Sequence, residues 1–267
     1  METQKEPGPA PTTGLGPAVL PFSLDIVSDY LAGLSPPDGP FDPQGEWDHR
    51  YVMWIALRGQ FGKSHKHGAL RIRRLVDASG ARVSISQTTG PLDMGKTGHT
   101  TATVTLSLSK GLADRLATPG KWEIESRILD AAGKPVEYSQ TRVTGEVTQG
   151  AIVFRGASDR RLKAPKAFTG SWSLFDAVQR LPFDAPPIRF DMLDDLELMK
   201  PRQRLAPGPA IEVTLGGRSL KLHSFEQTGD GILPYSYWLD DQHRLLAAVG
   251  GVRTFIWDPS AKLPEDG

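Results

Sequence analysis

The chain has 267 residues, of which 31 are basic and 31 acidic, so its formal net charge is zero. This balance argues against a purely electrostatic grip on nucleic acid or on an anionic membrane, and we expect no nucleic-acid partner. The 28 glycines and 22 prolines favour many turns and short strands over long helices. The absence of cysteine excludes disulfides, thiolate metal sites and cysteine nucleophiles.

Residues 1–44 are predicted to form a flexible leader that is rich in proline and glycine and contains one short helix. Prolines interrupt its uncharged stretch throughout, which excludes a transmembrane span and the apolar core of a signal peptide there. The helix is predicted over residues 24–34, where Tyr30, Leu31 and Leu34 continue a helical spacing of apolar positions.

Residues 45–267 are predicted to form an antiparallel β domain. Alternation of apolar and polar residues is clearest over residues 101–109, which indicates a strand with one buried and one wet face. Apolar runs flank Gly216-Gly217 and the segment from Asp240 to His243, and each pattern predicts a hairpin.

A second short helix is predicted over residues 173–181, with Leu174, Phe175 and Val178 on one apolar side. The predicted fold class is therefore all-β. We expect about ten to fourteen antiparallel strands in a curved sheet, as a half-barrel or a sandwich, with the two short helices packed against it.

A fifteen-residue segment recurs 53 positions later in the chain. Residues 74–88 align without gaps onto residues 127–141, with eight identities. Each copy is typical of strand, turn and strand, because aspartate closes such a turn and glycine takes its positive-φ position. The repetition predicts a duplicated hairpin unit or the convergence of two similar turns. Duplication requires superimposable hairpins, with Gly80 and Gly133 at positive φ.

Two histidines, His65 and His67, are candidate catalytic or metal-ligating residues. On a strand they project to the same face, so both imidazoles can meet one metal ion, with His99 or His223 as a third ligand. A solvated basic loop is the alternative, because lysines flank the pair. We expect no bound metal and no cofactor, since the P-loop, dinucleotide-binding and zinc-protease motifs are absent.

The acidic counterpart comprises Asp191, Asp194, Asp195 and Glu197. Two carboxylates held at the right separation perform acid–base chemistry on glycosides. The segment is also typical of a strand that enters a polar turn, and solvated surface acids are the alternative.

Aromatic side chains suggest a ligand site. Tyr235 and Tyr237 share one face of a strand by alternation, and the helix near residues 173–181 brings Trp172 and Phe175. We predict a cleft bordered by these four residues, of about 300–1,000 Å³, as small-molecule pockets are. Packing within the core is the alternative use of such rings.

Two segments carry a resemblance to a known group of proteins. Residues 237–256, which include Tyr-Trp-Leu-Asp-Asp-Gln-His-Arg-Leu-Leu, resemble a closing hairpin of uncharacterised bacterial envelope proteins, and residues 190–201 are similar to another segment of them. Their layout in turn resembles the lipoprotein-carrier-like half-barrel, a curved antiparallel sheet with short helices over its concave face. The resemblance implies the bacterial periplasm or secretion rather than the cytoplasm. It transfers no functional residue.

The leading functional hypothesis is a non-enzymatic binding protein for a carbohydrate or an apolar ligand. One alternative is a carbohydrate-active enzyme, a lyase or hydrolase, that uses His65, His67 and Tyr235. Another is a structural interaction module. Bound metal would distinguish the enzyme from the other two, and a hydrophobic cavity would favour a carrier-like binder.

Overall fold

A computed structural model of the protein describes residues 30–31, 33–55, 65–78, 80–90, 95–106, 115–156, 159–250 and 252–264. These residues form sixteen strands and one helix. The strands are β1 (Trp47–Ile55), β2 (His65–Asp77), β3 (Gly80–Thr89), β4 (Thr97–Leu106), β5 (Pro119–Leu129), β6 (Thr141–Thr148), β7 (Ala151–Arg155), β8 (Arg160–Lys163), β9 (Phe168–Gly170), β10 (Ile188–Asp194), β11 (Leu198–Pro207), β12 (Ile211–Leu215), β13 (Arg218–Thr228), β14 (Tyr235–Leu239), β15 (Leu245–Gly250) and β16 (Arg253–Trp257), and the helix is α1 (Ser171–Arg180).

One sheet contains all sixteen strands. Its order is β8-β7-β6-β5-β4-β3-β2-β1-β16-β15-β14-β13-β11-β10-β9, and β12 pairs with β13 beside this path. Strands β1 and β16 join the two halves of the chain along one seam, where Val52 lies opposite Ile256. Within the described part of the chain the two outermost strands, β8 and β9, do not pair with each other, so the sheet is open.

The prediction of a mostly β chain is confirmed, with two corrections. The strands number sixteen rather than ten to fourteen, and β9 pairs with β10 in parallel, so the sheet is mixed rather than purely antiparallel. The parallel pair arises because α1 connects β9 to β10 and carries the chain back before the next strand begins, as parallel pairing requires.

The sheet curves around α1. The helix contacts β3, β9, β10 and β15, which are far apart in the strand order. In addition, the indole nitrogen of Trp122 on β5 donates a hydrogen bond of 3.1 Å to the carbonyl of Leu196, in the turn between β10 and β11. The core therefore lies on the concave side, with the helix inside it.

Helix α1 is buried on all sides, which differs from the predicted helix with one apolar side. Its residues from Trp172 to Gln179 are all buried, including polar ones. Gln179 is accommodated because its Nε2 donates to the Phe175 carbonyl and its Oε1 accepts from the Leu245 amide. Buried polar groups with hydrogen-bond partners are the condition for such a helix to occupy an interior.

Little of the other predicted helix lies within the described residues. Tyr30 and Leu31 have helical backbone, and most of residues 24–34 lie outside the described part, so a second helix is not established. The chain that follows packs on the sheet: Leu34 is buried, the Gly39 carbonyl accepts from Arg244, and the Gly45 carbonyl accepts from Arg74. Parts of residues 33–44 thus pack on the sheet.

The two copies of the repeat form unequal hairpins. In the first, Asp77 pairs with Gly80 and β2 continues directly into β3. In the second, β5 makes only an isolated bridge to Pro135, and regular pairing resumes at Thr141, opposite Ser126. The gap in pairing contains Tyr138, whose φ is 58°, and Ser139, whose Oγ accepts from the Ile128 amide in place of a strand partner. The prediction of superimposable hairpins is therefore wrong. Both glycines nevertheless have positive φ, 137° at Gly80 and 76° at Gly133.

Replacing Gly133 with valine is expected to lower the free energy of unfolding by about 1–2 kcal/mol, from backbone strain alone. Its φ is 76°, and a Cβ added there meets no atom within 4 Å, so no steric clash contributes. Urea unfolding measures the loss. Lys134→Val, at an exposed neighbour without positive φ, is the control, and equal losses in both variants would contradict the strain argument.

Candidate functional site

A cavity of about 400 Å³ opens beside the N-terminal turn of α1. Strands β10, β11, β13, β14 and β16 and the loop of residues 231–233 form its other walls. We call it the α1 cavity. Its volume lies within the range of small-molecule sites, roughly 300–1,000 Å³.

Aromatic rings form much of its inner wall. Phe175 lies at the centre, with its ring 6.1 Å from Trp172, 6.2 Å from Tyr237 and 5.6 Å from Phe255, measured between centroids. Tyr235 packs on Tyr237 at 5.1 Å. Four of the five rings are buried and Tyr235 is half-buried, so the wall is rigid and apolar.

One part of the wall is polar. The hydroxyl of Tyr237 donates to Gln227 Oε1 at 3.0 Å, and Gln227 Nε2 donates to Gln203 Oε1 at 3.2 Å. Gln203 Nε2 in turn donates to the carbonyls of Pro201 and Asp230. Burial raises the pKa of Tyr237 well above its ordinary value, so the hydroxyl stays protonated and can donate.

Four charged side chains mark the mouth of the α1 cavity. Asp194 and Lys200 form a tight ion pair of 2.6 Å, whereas Asp195 and Arg253 are 3.5 Å apart and both half-exposed. Partial burial of the Asp195 carboxyl raises its pKa, the positive charge of Arg253 opposes this, and the negative charge of Asp194 adds to it. The mouth therefore carries two negative and two positive groups.

The turn between β10 and β11 fixes the position of Asp195. Asp195 and Leu196 have φ of 47° and 60°, values that non-glycine residues adopt only when their surroundings hold them there. The amide of Asp195 donates to Ser171 Oγ at 2.9 Å, and the fully buried Leu196 accepts from Trp122. Strand β5 and the first residue of α1 thus hold this turn in place.

Apolar residues flank the same mouth. Leu233 and Val252 line the cavity, yet 55% and 53% of their surfaces are exposed. Large exposed apolar side chains grouped at a cavity entrance form a patch that water covers poorly. The entrance therefore has a charged part and an apolar part.

The structure brings together the four aromatic residues of the predicted cleft. Trp172, Phe175, Tyr235 and Tyr237 all line the α1 cavity. Of the acidic residues singled out in the sequence, Asp194 and Asp195 line it too. Asp191 lies elsewhere, where its carboxylate accepts from the Arg202 amide.

The histidines whose side chains the structure describes do not line this cavity. The side chain of His65 lies outside the described residues, while His67 on β2 and His99 on β4 are separated by β3 and do not line the cavity. His223 forms a separate contact, 2.8 Å from Asp241. Among the residues that the structure describes, no group of three histidine, aspartate or glutamate side chains is placed to hold a metal ion.

Three polar residues of the site had no signal in the sequence: Lys200, Gln227 and Arg253. Each lies on a different strand, and the strand order and register bring them to the cavity. Arg253 follows a Gly-Gly-Val segment that indicates a turn, but nothing in that pattern predicts a partner in the β10–β11 turn.

Comparisons with known proteins identify one similar solved structure and no family. No model of a known protein family matches the sequence, and no curated protein is similar to it. Among solved structures, the chain is similar to a beta-barrel-like protein of the domain of unknown function DUF1849 from Brucella abortus, with 8% sequence identity and a TM-score of 0.48. The likeness covers 79% of this chain and 95% of that one.

No helix in the described part of the chain is long and apolar enough to cross a bilayer.

Proposed function

We propose that the protein is a non-enzymatic binding protein that holds an apolar or amphiphilic small molecule in the α1 cavity. The observation that supports this most directly is the cavity itself, about 400 Å³ of space open to solvent whose inner wall is formed largely by aromatic rings. Apolar walls with a few polar groups are the usual composition of such sites.

The arrangement of the rings favours an apolar ligand over a carbohydrate. Sugars stack on exposed flat ring faces, but Trp172, Phe175 and Tyr237 expose 7% or less of their surfaces and pack against one another. What remains for a ligand is the concave apolar surface that their edges make. An alkyl chain or a small apolar ring system fills such a surface without the hydrogen bonds that a sugar needs.

The enzymatic alternative has less support. It uses His65 and His67 beside Tyr235, and of the two whose side chains the structure describes, Tyr235 lines the α1 cavity and His67 does not. A carrier-like role agrees better with the mouth, where Leu233 and Val252 offer an apolar path between the cavity and the outside. We also propose that the chain has the layout of a lipoprotein-carrier-like half-barrel and that it is located in the bacterial envelope.

Blocking the mouth tests the proposal. We expect N-phenyl-1-naphthylamine, an uncharged apolar fluorophore, to bind one site with enhanced emission. Val252→Trp places a large ring at the entrance without disturbing the core, because Val252 is half-exposed. Its affinity for the fluorophore is expected to fall at least about tenfold, or about 1.4 kcal/mol.

Leu198→Trp is the matched control for this experiment. Leu198 is similarly exposed, at 58%, but it does not line the cavity, so the affinity should stay unchanged. Truncating Trp172 is less informative, because removing a buried tryptophan costs about 3–5 kcal/mol of stability regardless of any ligand. Fluorophore binding that is absent, or equally weakened by both variants, would favour the structural-module alternative.

A further inference from the structure

The charges at the mouth of the α1 cavity balance within a small area. Asp194 and Asp195 supply two negative groups, and Lys200 and Arg253 supply two positive ones. A ligand that carries a single charge must approach a like charge in order to reach an opposite one. Like charges at close range weaken binding, whereas a head group with both signs meets a partner for each.

The two ion pairs differ in the distance between their charged atoms and in their exposure to solvent. Asp194 and Lys200 are 2.6 Å apart and mostly buried, so each already has a close partner. Asp195 and Arg253 are 3.5 Å apart, beyond the 2.7–2.9 Å of a strong charge-assisted hydrogen bond, and both are half-exposed. Their lone pairs and N–H donors therefore retain capacity for a ligand.

The backbone holds both members of the loose pair. Asp195 lies in the turn whose amide donates to Ser171, and Arg253 begins β16, which pairs with β1 and β15. Tyr235 lies between the mouth and the inner wall, close enough for Arg253, Asp195 and Asp194 to act on its hydroxyl electrostatically. Among the described residues, that hydroxyl has no hydrogen-bond partner.

We propose that the ligand is a zwitterionic amphiphile. Its apolar chain fills the aromatic part of the α1 cavity, its anionic group binds the Arg253 guanidinium and the Tyr235 hydroxyl, and its cationic group binds the Asp195 carboxylate. This inference rests on the proposed function and adds the chemistry of the head group. Phosphate or carboxylate joined to an ammonium by a short linker meets the description.

Four amphiphiles with the same ten-carbon chain test the proposal, each below its micelle concentration. They are decylphosphocholine, decyltrimethylammonium, decyl sulfate and the uncharged decyl maltoside, and displacement of N-phenyl-1-naphthylamine from the full-length protein measures their affinities. We expect decylphosphocholine to bind at least about tenfold more tightly than each of the others. Its advantage should shrink at high salt, because the mouth is exposed to solvent.

Two variants test whether Arg253 is responsible for the preference for decylphosphocholine. Arg253→Gln is expected to lower the ratio of decylphosphocholine affinity to decyl maltoside affinity at least about tenfold. Arg218→Gln is the matched control, because Arg218 is similarly exposed but pairs with Asp38 and does not line the cavity. It should change neither affinity. Retained folding of both variants is checked by circular dichroism.

The outcomes separate this inference from the proposed function. If decyl maltoside, decyl sulfate or decyltrimethylammonium binds as tightly as decylphosphocholine, the head-group proposal is overturned and the apolar cavity site stands. An Arg253→Gln protein that keeps the preference for decylphosphocholine also overturns it. If none of the four displaces the fluorophore and the fluorophore itself does not bind, both proposals fail.

Discussion

Replacing Asp176 with alanine is expected to lower the free energy of unfolding by about 3–5 kcal/mol. The carboxylate is fully buried in α1, with Oδ1 2.8 Å from Arg74 Nε and Oδ2 accepting two hydrogen bonds from Arg180. Arg74 is also buried, and its further contact with the Gly45 carbonyl supplies no negative charge. Alanine would therefore leave a guanidinium in the interior without a counter-charge, which is the costly way to break a buried pair.

Urea unfolding followed by tryptophan fluorescence measures this loss. Asp48→Ala is the matched control, because Asp48 pairs with Arg71 at 2.6 Å on the surface, where such pairs contribute at most about 1 kcal/mol. Asp176→Asn keeps the volume but removes the charge, so it separates the electrostatic loss from the packing loss. A loss for Asp176→Ala as small as that for Asp48→Ala would show that the buried pair contributes little.

The second large effect is a loss of stability in acid that arises from His49. Burial lowers the pKa of His49 from 6.5 to about 3, the charge of Arg244 acts in the same direction, and Asp48 opposes it. Because the folded-state pKa lies below the unfolded-state value, the unfolded chain binds the proton first. Stability is therefore lost as the pH falls from about 6.5 towards 3. At about pH 4 the loss from this histidine is about 3 kcal/mol, since one pKa unit corresponds to about 1.4 kcal/mol.

His49→Phe removes this titration and keeps an aromatic ring between Trp47 and Trp257, whose centroids lie 4.5 and 4.7 Å from the imidazole. Between about pH 7 and pH 4 the wild-type protein should lose about 3 kcal/mol more than the variant. The variant also loses the 3.3 Å contact between Nδ1 and the Tyr51 hydroxyl, but that loss applies at neutral pH and largely cancels in the comparison. Parallel stability profiles for the two proteins would contradict the assignment.

Local patterns predicted the hairpins well. Gly216 and Gly217 form the turn between β12 and β13, and residues from Asp240 to His243 join β14 to β15, as their flanking apolar runs indicated. Within residues 97–106 the alternation of buried and exposed positions follows the polar and apolar residues. These features depend on residues that are close in the chain, so the sequence contains all the information that they need.

Features that depend on distant partners were predicted poorly. Asp176 and Gln179 are polar, and a helix that contains them is typically placed at a surface, yet Arg74 and the Leu245 amide allow both to be buried. The residues of the α1 cavity likewise divide into those that local patterns predict and those that they do not. Tyr235 and Tyr237 follow from strand alternation, whereas Gln227 and Arg253 reach the α1 cavity through the strand order and register, which place β13 and β16 near β14.

The single seam between β1 and β16 has a consequence for how the chain folds. Every other strand pair joins strands that are adjacent or next but one in the sequence, whereas Val52 pairs with Ile256 across most of the chain. Closing so long a loop carries a large entropic cost that short hairpins do not have. The two halves can therefore form first, and the seam is expected to be the last and slowest step. The described residues that line the α1 cavity all belong to the C-terminal half, but the hydrogen bond from Trp122 to the turn beside the cavity forms only when the halves meet.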